Sequence, residues 1–111
     1  TLCVVDLLPD ASLSIQQRWE AHELEAWIAA WDCHTAGVLY SGADDGFLKV
    51  WDLRVGVEAP VQQDRKTHQA GVTCLQSHAG VPHCLVTGSY DETVRVYDTR
   101  QMRRPVAETQ A

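Results

Sequence analysis

His22, Ser41, Asp45 and Trp51 are the residues whose types first suggest chemistry. A serine, a histidine and an aspartate are the groups of a hydrolytic triad, in which the imidazole takes the serine proton and the carboxylate orients the ring. The same types, joined by an indole N–H, also make a structural chain: indole to hydroxyl, hydroxyl to imidazole, imidazole to carboxylate. Each such group buried alone costs about 1–3 kcal/mol, and a connected chain removes that cost. A second set of the same kind, His68, Thr87, Asp91 and Tyr97, separates the two readings. A hydrolytic site occurs once, whereas a brace recurs with every copy of a repeat, so the structural reading is preferred. Tyr97 stands where Trp51 stands in the first set. A phenol hydroxyl sits farther out than an indole N–H, so the first link is the weak point of the second chain and its unit is expected to be the less rigid of the two.

The two sets are related by one offset. Placing His22 over His68, 46 positions on, brings Leu39, Gly42, Asp45, Val50, Asp52 and Arg54 onto identical residues without a gap. Ser41 falls on Thr87, Lys49 on Arg95 and Trp51 on Tyr97. The same offset carries Leu48, Val50, Asp52 and Leu53 back onto Leu2, Val4, Asp6 and Leu7. The chain therefore opens inside an earlier copy of the unit. A period near 46 whose β-rich runs close on Asp is the signature of WD repeats, the four-stranded blades of a β-propeller. The fold expected is all-β, a propeller fragment of about two and a half four-stranded blades.

Local chemistry places the strands. Runs rich in β-branched and aromatic residues alternate with turn-forming clusters. Residues 1–19 are expected to end one blade. A second blade covers 20–65, with strands near 26–31, 36–41, 47–52 and 59–63. A third covers 66–111, with strands near 72–76, 83–87, 93–98 and 104–108. Ala26–Trp31 also fits a short helix, but its repeat mate Val72–Gln76 is strand-like. Tight turns are expected at Ala43–Gly46 and Ser89–Glu92.

Bulk properties narrow the function. The chain has 111 residues and a net charge of −6, with 45% apolar and 22% charged residues. That is globular composition, and an acidic balance argues against direct nucleic-acid binding. No apolar run is long enough to span a bilayer, and no leader pattern is present. Cys3, Cys33, Cys74 and Cys84 lack the paired spacing of a zinc site, so no metal is implied. Buried free thiols in a reducing compartment, cytosolic or nuclear, are expected. At this period the chain makes about 2.4 units, fewer than the roughly 4–8 of a closed propeller, and is expected to be a fragment of marginal stability alone.

Glu23, Glu25, Asp44 and Tyr90 flank the first histidine or sit in the hairpin turns, on one rim of the propeller. Rims of rigid scaffolds concentrate binding residues, so these four are binding candidates. Trp27 and Trp31 are expected to pack between blades. Arg100, Arg103 and Arg104 read as a solvated strand end.

Certain strings carry a closer resemblance. They are Arg18-Trp19-Glu20-Ala21-His22 with Glu25–Ala30, Tyr40-Ser41-Gly42 with Asp44-Asp45-Gly46, and Thr87–Glu92 with Asp98–Met102 and Pro105. Over about residues 18–108 the chain resembles the eukaryotic diphthine methyl esterases, a WD-repeat family also known as diphthine methyltransferases. The resemblance implies hydrolysis of the methyl ester of methylated diphthine on elongation factor 2, within diphthamide biosynthesis, in the cytoplasm and without a cofactor. It implies no catalytic residue here, and no G-x-S-x-G elbow is present. That intermediate carries a trimethylammonium group, which aromatic and acidic side chains such as Tyr90, Asp44, Glu23 and Glu25 suit. The alternative is a non-enzymatic WD-repeat adaptor for protein–protein interaction.

Overall fold

The computed structural model describes residues 1–110. Their regular structure is ten β-strands: β1 (Leu2–Leu7), β2 (Leu13–Trp19), β3 (Ala26–Trp31), β4 (Val38–Ala43), β5 (Leu48–Asp52), β6 (Gln62–Asp64), β7 (Val72–Ser77), β8 (Cys84–Ser89), β9 (Thr93–Asp98) and β10 (Ala107–Gln110). Neighbours in sequence pair antiparallel, giving a β1–β2 pair and two four-stranded meanders, β3–β6 and β7–β10. This is a partial β-propeller, and Ala26–Trp31 is a strand in it.

The fourth strands begin about three residues later than the sequence pattern suggests. Pro60 and Pro105 explain the shift. Proline has no N–H to give to the ladder, so pairing starts just beyond it, with Val61 N–H on Val50 O and Val106 N–H on Val96 O, each 2.8 Å. Only then do β6 and β10 form.

Both tight hairpins form where expected. Gly46 N–H reaches Ala43 O at 3.1 Å, and Glu92 N–H reaches Ser89 O at 3.2 Å. Their closing residues adopt a left-handed backbone, φ 76° at Gly46 and 65° at Glu92. Glycine takes that region freely; a glutamate there costs about 1 kcal/mol.

The apolar residues sort onto two interfaces. Tyr40, Leu48, Val50, Val72, Leu75, Leu85, Tyr97 and Met102 form the core between the two meanders. Trp19, Ala21, Leu39 and Trp51 form a smaller one between the β1–β2 pair and the first meander. There the Trp19 and Trp51 rings meet edge to face at 5.5 Å. Trp31 lies beside this second interface, on a cavity of about 90 Å³ with Leu2, Trp19 and Leu39. The thiols are free, but Cys3, Cys33 and Cys74 are exposed rather than buried.

Candidate functional site

The first set of polar residues is drawn together from four separate elements, two strands and two connecting segments. His22 comes from the segment before β3, Ser41 from β4, Asp45 from the β4–β5 turn and Trp51 from β5. Trp51 Nε1–H donates to Ser41 Oγ at 2.9 Å. Ser41 Oγ lies 2.8 Å from His22 Nε2, and His22 Nδ1 lies 3.1 Å from Asp45 Oδ2. Asp45 Oδ1 accepts the N–H of Phe47 at 2.8 Å, which ties the chain to the turn. The directions are fixed from one end. Asp45 can only accept, so Nδ1 carries the ring proton and donates it there, and the bare Nε2 of the neutral ring accepts the Ser41 proton. Burial pushes the His22 pKa below the usual histidine range against the pull of Asp45, keeping the ring neutral.

This is the atom order of a triad in a place no substrate reaches. Ser41 is 0% exposed and Trp51 only 2%. The hydroxyl donates to His22 and accepts from the indole, and the packing that buries it leaves no path for a substrate carbonyl to approach. The arrangement is a brace that pins the segment before β3 to the β4–β5 turn.

The second set is not wired as a relay. His68 Nε2 reaches Thr87 Oγ1 at 2.9 Å, but His68 Nδ1 is buried with no partner. Tyr97 does not reach Thr87; its hydroxyl donates to Asp64 Oδ2 at 2.7 Å, and its ring stacks on His68 at 6.0 Å. Asp91 is taken by other donors. Gln69 N–H reaches Oδ2 at 3.0 Å, and Arg95 Nη1 lies 2.8 Å from the same oxygen. Two exchanges account for this. Lys49 sends its ammonium to Ala21 O at 2.7 Å and leaves Asp45 to the histidine. Arg95, in the same position of the repeat, spreads a planar guanidinium between Asp91 and Glu108. Tyr97 in place of Trp51 carries its polar atom past the threonine to a different carboxylate. Lys49 and Arg95 look conservative in sequence; their different reach does not show there.

The orphaned ring makes the structure acid-sensitive. Burial, reinforced by the Arg95 charge, pushes the His68 pKa down to about 4 against a normal 6.5, despite Asp64, Asp91 and Glu108 nearby. Between those values the unfolded chain binds a proton that the folded chain refuses, so stability falls as pH drops from 6.5 to 4. The expected loss is on the order of 2 kcal/mol. Urea unfolding of the full-length protein at pH 7, 5.5 and 4.5 measures it, and His68→Gln should flatten the dependence.

The rim candidates separate into two places. Glu23 and Glu25 are exposed and line an open acidic cavity of about 410 Å³ with Glu20 and Leu24. Asp44 and Tyr90 do not line it and are joined to each other by a residue not expected there. Trp27 is half exposed, its indole Nε1–H donates to Asp44 Oδ1 at 3.3 Å, and its ring meets Tyr90 at 6.4 Å. The cause is a β-bulge: Ala26 pairs with Ala43 and Ile28 with Gly42, leaving Trp27 as the extra residue. Bulges re-aim side chains, and nothing in the alternation of Ala26–Trp31 announces this one.

Comparison with known proteins agrees with this architecture. The family model for the WD domain, G-beta repeat, matches residues 13–52 and 60–98. The chain is 45% identical over 91 residues to diphthine methyltransferase of Homo sapiens, covering 82% of this chain and 20% of that protein. It is 33% identical over 103 residues to a diphthine methyltransferase homolog of Dictyostelium discoideum, covering 85% and 28%. The chain thus spans between a fifth and under a third of these relatives. Among solved structures, a chain of a mitotic checkpoint complex superimposes with a TM-score of 0.68 at 20% identity, over 92% of this chain and 29% of its own length. At that identity the likeness concerns the fold alone.

Proposed function

The chain belongs to the WD40 repeat family, and we propose that it is part of an enzyme of diphthamide biosynthesis that removes the methyl ester from methylated diphthine on elongation factor 2. The observation that carries the proposal is the 45% identity to human diphthine methyltransferase over 82% of the chain. The reaction is ester hydrolysis in the cytoplasm. Water adds to the ester carbonyl, methanol leaves, and the carboxylate and a proton remain. Such a reaction needs a base for the water and donors for the oxyanion.

The described residues supply scaffold and docking surface for that reaction. The Ser41 brace holds the β4–β5 turn still, and that turn carries Asp44. Glu23 and Glu25 give the same rim a negative field that attracts a cationic substrate segment. Buried Ser41 is no nucleophile, and no catalytic group is assigned among the described residues.

That same burial favours a second reading, a WD-repeat adaptor that binds a partner without turning it over. One experiment separates them. Full-length protein is incubated with elongation factor 2 carrying methylated diphthine, and the modified peptide is weighed by mass spectrometry. Loss of the methyl group supports the esterase. An unchanged mass with stable binding retained overturns it in favour of the adaptor.

A further inference from the structure

We infer that Trp27, Tyr90 and Asp44 form a recognition corner for a quaternary ammonium group at the junction of the two meanders. The corner stands on geometry independent of the proposed reaction; the choice of a quaternary over a bare ammonium rests on that reading.

The three groups come from different elements and are held there by backbone. Trp27 is the bulged residue of β3. Asp44 opens the β4–β5 turn, where its N–H donates to Glu25 O at 2.8 Å. Tyr90 occupies the equivalent turn of the next meander, and its N–H donates to Gly71 O at 3.0 Å. Gly71 makes the approach possible. A Cβ there would stand 3.0 Å from Asp44 Oδ1 and 3.5 Å from Trp27 Nε1. The glycine therefore keeps open the space in which carboxylate and indole meet.

The chemistry of the corner is specific. The rings of Trp27 and Tyr90 stand at 86° to each other, so they form adjoining walls. Both are large aromatics left open on a folded surface, Trp27 at 49% and Tyr90 at 64% exposed. Aromatic faces carry negative potential and attract cations, most strongly those that shed water easily. Alkylated ammonium groups do so, and their methyl groups also make apolar contact with the rings. Asp44 places a carboxylate beside the rings, and no Lys or Arg among the described residues forms an ion pair with it. Its Oδ1 takes the indole N–H, which leaves Oδ2 for a ligand's charge. Glu25 next to the bulge strengthens the negative field. Aromatic walls with a free carboxylate suit a cation and reject an anion.

The test uses full-length protein labelled with 5-fluorotryptophan, the Trp27 signal being assigned by its loss in Trp27→Phe. Choline presents a trimethylammonium head; 3,3-dimethylbutan-1-ol presents the same shape without charge. At constant ionic strength, choline should shift the Trp27 signal with an affinity at least about tenfold better than the alcohol. Tyr90→Ala should weaken choline binding by about five- to tenfold and Asp44→Asn by about threefold, while Tyr90→Phe stays within about twofold. Equal response to the two compounds would show an apolar patch and overturn the proposal, as would no response to either. Tighter binding of ethylguanidinium than of choline would overturn the assignment to a quaternary ammonium. The titration needs no turnover. A protein that binds choline here yet leaves the methyl ester intact overturns the proposed reaction and leaves the corner standing.

Discussion

His22→Ala in the full-length protein is expected to lower the unfolding free energy by roughly 3 kcal/mol, and adding Asp45→Ala should cost clearly less than it does alone. The imidazole joins two groups. Without it the Ser41 proton has no acceptor, and one oxygen of Asp45 loses its donor. Once the ring is gone, Asp45 keeps only its bond from Phe47 N–H, so its own removal has less left to break. A double-mutant cycle in urea should therefore return a coupling of about 1–2 kcal/mol. The repeat supplies an internal control. His68 and Asp91 occupy the same two positions, but Asp91 is held by Gln69 N–H and Arg95. Near neutral pH His68 carries no charge to attract it, so the second cycle should stay within about 0.5 kcal/mol of zero. A first cycle as flat as the second would remove the relay.

The contrast between these two sites shows where a sequence can be read and where it cannot. The 46-residue offset depends on which residues repeat, and it located the sheets, the hairpins and the first relay. What it hides is the reach of side chains that differ within a conservative pair. Arg95 for Lys49 and Tyr97 for Trp51 keep charge and aromaticity, yet together they dismantle the second relay. The strand starts near Pro60 and Pro105 were open to a closer reading, because the missing N–H is written in the residue type. Trp27 was not. Strict alternation assigns it to the same face as Ala29 and Trp31, and only the bulge turns it to the rim. The rim candidates were found by type and place, but their division into an acidic cavity at Glu23 and Glu25 and an aromatic corner at Asp44 and Tyr90 depends on that one extra residue.

Gly42→Ala is expected to destabilise the protein by about 3 kcal/mol or more, while the same substitution made in a Val72→Ala background should cost about 1 kcal/mol or less. Gly42 has no positive φ, so backbone freedom is not the reason. The reason is what faces it. A Cβ on Gly42 would stand 2.5 Å from Val72 Cγ1 and 2.7 Å from Val72 Cβ. Val72 is fully buried and β-branched, so it has no free rotamer to escape into. Its Cβ is bonded to the backbone, which means β7 itself must retreat from β4. That retreat opens the core shared by Tyr40, Leu48, Val50 and Leu75. Shortening Val72 to alanine removes the Cγ1 that the new methyl would strike, so in that background β7 has far less to retreat from. Urea midpoints of the wild-type, the two single variants and the double variant decide the matter. A Gly42→Ala cost that is the same in both backgrounds would mean that the glycine serves the strand itself. The expected coupling would mean that Gly42 sets the distance between neighbouring sheets, and with it the junction across which Trp27 meets Tyr90.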